Sequence, residues 1–180
     1  MTPSQYLAHE REALFKSEYY KGEVFAFAGA SRRHDIVTGN AFANIHLQLR
    51  GGPCRAYTSD MRISIPLTSH YTYADVVVAC GEAKLEDEFK DNLLNPTLIV
   101  EVLSPSTEGY DRGKKFESYQ HIPSLMEYVM MSQDGPRVEQ YLRQPDGRWL
   151  YSETTKEGVV HLTSIGCELS LKEIYEGVEF

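Results

Sequence analysis

Two short apolar runs constrain the fold of this chain more than any other feature. Val76-Val77-Val78 and Leu98-Ile99-Val100 contain no polar residue and are rich in β-branched side chains. A strand that faces solvent on one side alternates polar and apolar residues, whereas a strand buried on both faces does not. The two runs therefore predict central strands of a sheet that is covered on both faces.

The remaining pattern supplies the flanking elements. We expect a first helix over residues 3 to 14 with Thr2 in a capping box, a long helix from 33 to 50, a third from Asp111 to about 121, and a short terminal helix that Ser170 begins in a second capping box. The predicted strands are residues 18–28 (two strands around a turn), 54–58, 61–66, 73–79, 97–103, 126–131, 138–142, 148–152 and 159–162. This order predicts an α/β (α+β) fold: a mixed central sheet flanked by helices, with additional antiparallel strands.

Length and composition indicate one domain over residues 1–180, because folding at this size buries roughly 70% of the unfolded chain's surface. No apolar run approaches the ~20 residues of a membrane span, and the start of the chain lacks the features of a secretory signal. We therefore expect a cytoplasmic protein without membrane contact. Cys54, Cys80 and Cys167 are far apart and odd in number, which predicts small buried side chains rather than a disulfide framework or a zinc site.

The charge balance does not by itself indicate nucleic acid. The net charge is −8, from 18 Lys and Arg against 26 Asp and Glu, whereas affinity for nucleic acid comes largely from neutralising phosphates. A local basic patch beside a cleft is compatible with this charge. Its candidate members are Arg32, Arg33, Arg50, Arg55, Arg112, Lys114 and Lys115.

Two acidic residues interrupt the apolar strands. Asp75 directly precedes Val76, and Glu101 directly follows Val100. A buried carboxylate is costly unless it is paired, hydrogen-bonded or bound to a metal, and a loop cap or an arginine partner would explain either acid alone. Two acids near the ends of neighbouring strands repel each other unless a cation lies between them. Oxygen ligands without cysteine indicate Mg²⁺ or Mn²⁺ rather than zinc.

A lysine in the following helix could serve such a site. Asp111, Lys115 and Tyr119 recur every four residues and so share one helix face, whereas Lys114 points about 100° away. An ammonium group aimed at an attacking water could orient it or help it lose a proton. A solvent-facing charged helix is the alternative interpretation of the same spacing.

These residues resemble the Uma-two family of restriction-endonuclease-like proteins, which has the PD-(D/E)xK nuclease fold. The resemblance runs from Glu18-x-x-x-Gly22-Glu23 to residues 127–131, and Glu-Val-Leu-Ser-Pro-Ser-Thr at 101–107 is its most specific stretch. It implies that Asp75 and Glu101 bind a divalent ion. It also implies that Lys115 is a displaced lysine that serves the attacking water, since Leu103 stands where the superfamily has its lysine.

The resemblance implies supporting roles for other residues. The backbone carbonyl of Val102 could supply another oxygen ligand, and Glu18 matches an acid that could complete the ion site. Glu23 and His34 also match family positions, although turn support and helix capping explain them equally well. Ala74 replaces the family's proline before the aspartate, which alters backbone stiffness and leaves the carboxylate in place.

The resulting hypothesis is an endonuclease that hydrolyses phosphodiester bonds of DNA with Mg²⁺ or Mn²⁺, in which Lys115 positions the water or stabilises developing charge. His34 as general base is the weaker variant, because a metal already lowers the pKa of water. Two alternatives stay open: a non-catalytic nucleic-acid-binding or assembly module that keeps the fold, and a hydrolase of a small phosphate compound. A homodimer also stays open, because nucleases that cut both strands often act as symmetric dimers.

Overall fold

The structure, a computed structural model, describes residues 1–27 and 29–180. The helices in this part of the chain are α1 (Pro3–Glu10), α2 (Arg32–Leu49), α3 (Glu108–Tyr110), α4 (Phe116–Tyr119) and α5 (Leu171–Ile174), and a π-helical segment, Asp111–Lys115, joins α3 to α4. The strands are β1 (Ser17–Tyr20), β2 (Glu23–Ala26), β3 (Cys54–Thr58), β4 (Arg62–Ile65), β5 (His70–Tyr73), β6 (Val76–Cys80), β7 (Asn92–Leu93), β8 (Leu98–Leu103), β9 (Glu127–Ser132), β10 (Arg137–Arg143), β11 (Trp149–Thr155), β12 (Val159–Leu162) and β13 (Cys167–Ser170). None of the described helices is long and apolar enough to cross a membrane.

Over the described residues the strands form three sheets. The largest has the order β11-β10-β9-β8-β6-β3, in which β8 and β9 are parallel and the other neighbours are antiparallel. The second has the order β2-β1-β5-β4-β7, and β12 pairs with β13 alone. The two apolar runs lie in β6 and β8, which are interior neighbours of the largest sheet. The predicted mixed sheet is therefore confirmed.

Both faces of the six-stranded sheet are covered because its central strands are apolar on both sides. Helix α2 packs a stripe of side chains four residues apart against one face: Val37, Ala41, Ile45 and Leu49. The segment that includes α4 covers the opposite face with Tyr119 and Leu125. Since side chains alternate along a strand, Val100 of β8 joins the first core and Ile99 joins the second.

The stretch predicted as one strand over residues 73–79 is two strands in different sheets. The chain leaves the five-stranded sheet at Tyr73, where β5 ends, and enters the six-stranded sheet at Val76, where β6 begins. Ala74 between them is buried, so the apolar pattern continues through the crossing and could not reveal it. Asp75 lies at this crossing between the two sheets.

The ends of two helices differ from the prediction. Helix α1 keeps its capping box at Thr2 but ends at Glu10 rather than at residue 14. Leu14 and Phe15 are 92% and 85% exposed, so no buried apolar face continues the helix. The terminal helix α5 follows Ser170 as predicted, but the Ser170 side chain makes no capping hydrogen bond.

The helix after β8 also begins earlier than predicted. It starts at Glu108, so Asp111 lies inside the helical segment and does not cap it. The predicted hairpin around Lys21-Gly22 is present as β1 and β2, and the last residue of its predicted range, Ala28, lies outside the described residues. Three short strands, β5, β7 and β13, were not predicted as separate elements.

The prediction for the cysteines is wrong for two of the three. Cys54 of β3 and Cys80 of β6 are register partners in an antiparallel pair, and they form a disulfide. Their separation of 26 residues gave no indication of this, because cross-strand register cannot be read from cysteine spacing. Cys167 is buried and free, as predicted.

Candidate active site

Asp75 and Glu101 lie near each other where β6 and β8 pair. Val76 pairs with Val100 in antiparallel register, so Asp75, directly before β6, comes next to the position of Glu101. Glu101 belongs to the face that α4 covers, because its strand neighbours Val100 and Val102 belong to the core under α2 and successive side chains alternate. Glu101 is 3% exposed and therefore needs a partner.

Lys115 supplies that partner. Its Nζ lies 2.9 Å from Oε1 of Glu101, 3.4 Å from Oε1 of Glu18 and 3.6 Å from Oδ1 of Asp111. The same ammonium group donates a hydrogen bond of 2.9 Å to the backbone carbonyl of Tyr73, at the end of β5. The side chains of Glu18, Glu101, Asp111 and Lys115, here called the Lys115 cluster, are all buried. The lysine thus bridges both sheets at their crossing.

The Lys115 cluster carries three carboxyl groups and one ammonium group. Burial lowers the pKa of Lys115, but the charges of Glu101, Glu18 and Asp111 outweigh it and raise that pKa well above its ordinary value. Burial raises the pKa of Glu101 and of Asp111, and the nearby charge of Asp75 raises both further against the opposing effect of Lys115. Lys115 therefore stays protonated, and its one positive charge is shared by the three carboxyl groups of the cluster.

Tyr119 completes the environment of Glu101. Its hydroxyl donates a 2.8 Å hydrogen bond to Oε1, the oxygen that also contacts Lys115. Asp111, Lys115 and Tyr119 therefore act from one side of the helical segment, as their four-residue spacing predicted. In the described part of the chain no hydrogen bond reaches the other oxygen of Glu101, Oε2.

Asp75 is held by groups outside the Lys115 cluster. The N–H of Val102 donates to Oδ2 over 2.6 Å, and Nε2 of His34 lies 3.2 Å from the same oxygen. Burial lowers the pKa of His34, but the hydrogen bond and charge of Asp75 outweigh burial and raise it. Helix capping, offered as an explanation for His34, belongs instead to the side chain of Ser31, which accepts from the N–H of His34.

A second chain of polar groups leads away from Glu18. Tyr110 donates to its Oε2 over 2.8 Å, and the Tyr110 oxygen lies 3.2 Å from Nε2 of His70. Thr72 donates to Oε1 of the same glutamate. Burial lowers the pKa of His70 to about 4, so this imidazole is neutral near pH 7. Neither Tyr110 nor His70 was predicted as a site residue, because their positions in the sequence carry no recognisable spacing.

The donors available to a metal ion are oxygen atoms. Among residues 1–27 and 29–180, no three or more His, Cys, Asp or Glu side chains are grouped so that they could hold a metal. Glu18, the weaker candidate ligand, is already bound by Lys115, Tyr110 and Thr72. The remaining oxygen ligands are the carboxylates of Asp75 and Glu101 and the backbone carbonyl of Val102. The carbonyl is included because the N–H and C=O of one strand residue point to the same side, and the Val102 N–H faces Asp75. Mg²⁺ is commonly bound by one or two carboxylates, with water and phosphate oxygens completing its coordination, so this set fits.

Other residues singled out from the sequence lie away from this centre. Leu103 is 5% exposed and packs in the apolar core, so it offers no polar group to the site. Glu23 lies on β2 and is exposed. Among the candidates, the structure therefore brings together Glu18, Glu101 and Lys115, and it holds Asp75 beside Val102.

The sheet order, the covering helices, an acid on β8 beside a helical lysine and a second acid directly before β6 are the features of a restriction-endonuclease-like fold. A crystal structure described as "a putative nuclease belonging to DUF820", from Anabaena variabilis, matches with a TM-score of 0.80 and 18% identity. The match covers 99% of this chain and 99% of that chain, and at this identity it shows the fold.

Sequence comparison identifies the family. The model of the Uma2 family, described as "Putative restriction endonuclease", matches residues 3–172. A Synechocystis sp. protein described as uncharacterized is 35% identical over 180 residues, which cover 100% of this chain and 94% of the relative. A second one is 38% identical over 157 residues, which cover 87% of this chain and 89% of the relative. The chain belongs to the Uma2 family, and the resemblance inferred from its motifs is confirmed.

Proposed function

We propose that this chain is a metal-dependent endonuclease that hydrolyses phosphodiester bonds of DNA at the site formed by Asp75, Glu101 and Lys115. The observation that carries the proposal is the position of Lys115 Nζ, 2.9 Å from Glu101, on the strand whose Val102 N–H binds Asp75. Membership of the Uma2 family supports nuclease chemistry in general. The metal, the DNA substrate and the residue roles are the proposed part.

The excess of acid at the site supports a divalent ion. The three carboxyl groups of the Lys115 cluster contact one ammonium group, Asp75 is bound nearby by the Val102 N–H, and converging carboxylates are stabilised by a cation. Asp75, Glu101 and the Val102 carbonyl would hold Mg²⁺ or Mn²⁺. When bound, the ion would supply Lewis-acid chemistry at a phosphate oxygen and lower the pKa of a water.

The chain's own groups orient this chemistry. Tyr119 and Lys115 both bind Oε1 of Glu101, which leaves Oε2 for a ligand. The Val102 N–H fixes Oδ2 of Asp75, with His34 beside it. Lys115 stays protonated in its acidic surroundings, so it would orient the attacking water as a hydrogen-bond donor and stabilise charge that develops on the phosphate.

Cleavage of plasmid DNA tests the proposal. With Mg²⁺ or Mn²⁺ present, wild type is expected to nick or linearise the plasmid, and Asp75→Asn should reduce the rate by about 100-fold or more. Asp60→Asn is the matched control, because that aspartate is 81% exposed and pairs only with Lys16 among the described residues. Equal rates for wild type and Asp75→Asn would remove Asp75 from the site.

Metal binding can be measured without any substrate. Calorimetric titration with Mn²⁺ should show weaker binding in Glu101→Gln than in wild type. Glu127→Gln is the control, because Glu127 is a fully buried glutamate of β9 that binds Gln140 and Ser164. Unchanged Mn²⁺ affinity in Glu101→Gln would exclude Glu101 as a ligand.

A non-catalytic binding module is the second candidate. It is favoured by the burial of Lys115, which is 4% exposed and already contacts three carboxylates and a carbonyl. DNA binding without metal-dependent cleavage by wild type would support this module. Cleavage of a small phosphodiester with no action on DNA would instead identify a small-molecule hydrolase. Sedimentation of the protein with and without DNA would test whether the chain forms a homodimer.

A further inference from the structure

A cavity of about 360 Å³ opens directly beside the Lys115 cluster. The β1–β2 hairpin forms one wall, and the stretch from Ser106 to Lys115 forms the other. Four aromatic side chains line it: Tyr20, Phe25, Phe27 and Tyr110. Its volume is at the lower end of the range for ligand sites, roughly 300–1,000 Å³. The cavity can therefore accept a small planar group but not an element of secondary structure.

The register of the hairpin explains why the rings converge on this wall. Glu18 of β1 stands directly opposite Phe25 of β2, and directly paired residues project from the same face of a sheet. Phe27 follows two residues after Phe25 and lines the same cavity. The two phenylalanine side chains are 47% and 44% exposed, so they present open apolar surface beside a buried acid of the cluster.

The cavity adjoins the proposed catalytic groups. Nζ of Lys115 lies 5.9 Å from the centre of the Phe27 ring, and Tyr110 on the opposite wall donates to Glu18. Lys114 is exposed at the cavity and makes no ion pair within the described residues, so its charge is available to a phosphate. An occupant stacked on Phe27 would have its attached backbone next to Lys114 and Lys115.

The net charge of the chain favours base stacking over phosphate neutralisation as the source of affinity for an occupant of this cavity. With 26 acidic residues against 18 basic ones, the surface is poorly suited to neutralise a long run of phosphates. Stacking of bases on aromatic rings does not require a basic surface, because every base has a π-face. A base inside a duplex is already stacked and cannot enter a cavity unless it is extruded.

We propose that this cavity receives an unpaired nucleobase, so that the substrate is single-stranded or locally unpaired nucleic acid. The inference rests on the proposed function for the choice of nucleic acid as ligand. It goes further by assigning Phe25 and Phe27 to base stacking and Lys114 to the adjoining phosphate. It also predicts that binding depends more on bases than on salt.

Binding without cleavage tests this assignment. In EDTA, the fluorescence anisotropy of a labelled oligothymidylate should give a Kd that rises about fivefold to 100-fold in Phe25→Leu and in Phe27→Leu. Phe89→Leu is the matched control, because Phe89 is 61% exposed and lines a different cavity with Arg11. An abasic strand of the same length should bind wild type as weakly as the thymidylate strand binds the variants.

Two further ligands sharpen the result. A duplex of the same length is expected to bind weakly, with a Kd that neither phenylalanine substitution changes. Oligouridylate separates DNA from RNA, and equal ring-dependent binding of both would support a base pocket that does not read the sugar. Both phenylalanines are partly exposed, so their variants should keep the wild-type melting temperature, and the milder Phe25→Leu decides the question if Phe27→Leu unfolds.

The outcomes distinguish this inference from the proposed function. Equal affinity of wild type and both variants, or equal affinity for abasic and normal strands, would overturn the base pocket even if the enzyme cleaves DNA. Ring-dependent binding of single strands by a wild-type protein that cleaves nothing would keep the pocket and overturn the nuclease proposal.

Discussion

Lys115 and Arg112 lie three residues apart on one π-helical segment, yet their ion pairs differ in kind. Lys115 is 4% exposed and contacts Glu18, Glu101 and Asp111 within the protein. The Arg112 side chain is 29% exposed and pairs with Glu108, which is 48% exposed, and with Glu139, which is 5% exposed. One side of the segment therefore faces the sheet crossing, and the other side is partly open to solvent.

We expect solvent access to the cation and the donors that remain to each carboxylate to decide what each charge contributes. Water reaches Arg112 and Glu139 keeps other donors, whereas removing the buried Lys115 leaves carboxylates without compensation. The Lys115 cluster should consequently be sensitive to single substitutions and the Arg112 pairs tolerant. Four measurements test this difference, beginning with the largest expected effect.

Lys115→Met should lower the free energy of unfolding by about 3–5 kcal/mol, because buried carboxylates lose the ammonium partner that they have among the described residues. Urea unfolding at pH 7 followed by circular dichroism measures the loss. Lys114→Met is the control, since this neighbour is exposed and its removal should change the free energy by about 0.5 kcal/mol or less. Equal losses in the two variants would show that burial does not distinguish the two lysines.

Tyr119→Phe should lower the free energy of unfolding by about 1.5–3 kcal/mol, because its hydroxyl donates to the carboxylate of Glu101. Tyr128→Phe is a matched comparison: this ring is also fully buried, but its hydroxyl donates to the backbone carbonyl of Asp111 over 3.0 Å. A hydrogen bond to an uncharged acceptor is worth about 0.5–1.5 kcal/mol. Urea midpoints of the two variants should therefore differ, and a larger loss in Tyr128→Phe would contradict the charged state of the cluster.

The local parts of the buried cluster were predictable from sequence. Glu101 stands out as an acid in an apolar strand, and the spacing of Asp111, Lys115 and Tyr119 encodes a shared helix face. Both signals depend on periodicity over a few residues, which backbone geometry fixes. The six-stranded sheet was predictable for the same reason, because β6 and β8 each carry a continuous apolar run.

The partners from other elements were not predictable. Tyr110 meets Glu18 across 92 residues of chain, and Lys115 meets the Tyr73 carbonyl across 42 residues. These contacts depend on the angle and register at which the two sheets meet near Ala74. Neither quantity can be read from a local sequence pattern. The cross-strand disulfide escaped prediction for the same reason.

The buried imidazole of His70 should make the free energy of unfolding depend on pH. Burial lowers its pKa from 6.5 to about 4, so its contribution to stability is complete above pH 6.5 and is lost as pH falls toward 4. The linkage relation gives a loss of about 2 kcal/mol between pH 7 and pH 5. In His70→Gln the decrease over this range should be smaller by that amount, whereas the exposed control His161→Gln should follow wild type. Urea unfolding at the two pH values measures the difference, and parallel decreases in all three proteins would contradict the assignment.

Arg112→Gln should give the smallest effect, about 1 kcal/mol or less at pH 7. Its partner Glu139 keeps a hydrogen bond of 3.2 Å from Arg137 and one of 2.9 Å from Tyr151, so the carboxylate is not left alone.

The pH dependence of this small effect has a definite sign. Burial raises the pKa of Glu139, but hydrogen bonds from Arg112 and Tyr151 and the charge of Arg112 outweigh it and lower the pKa. The stabilisation is therefore present above the ordinary glutamate pKa and lost as pH falls through the lowered one. Urea midpoints of wild type and Arg112→Gln should converge in acid, in the range where Glu139 takes up its proton. If Arg112→Gln lowers the free energy of unfolding at pH 7 as much as Lys115→Met does, then solvent access to Arg112 does not reduce its contribution to stability.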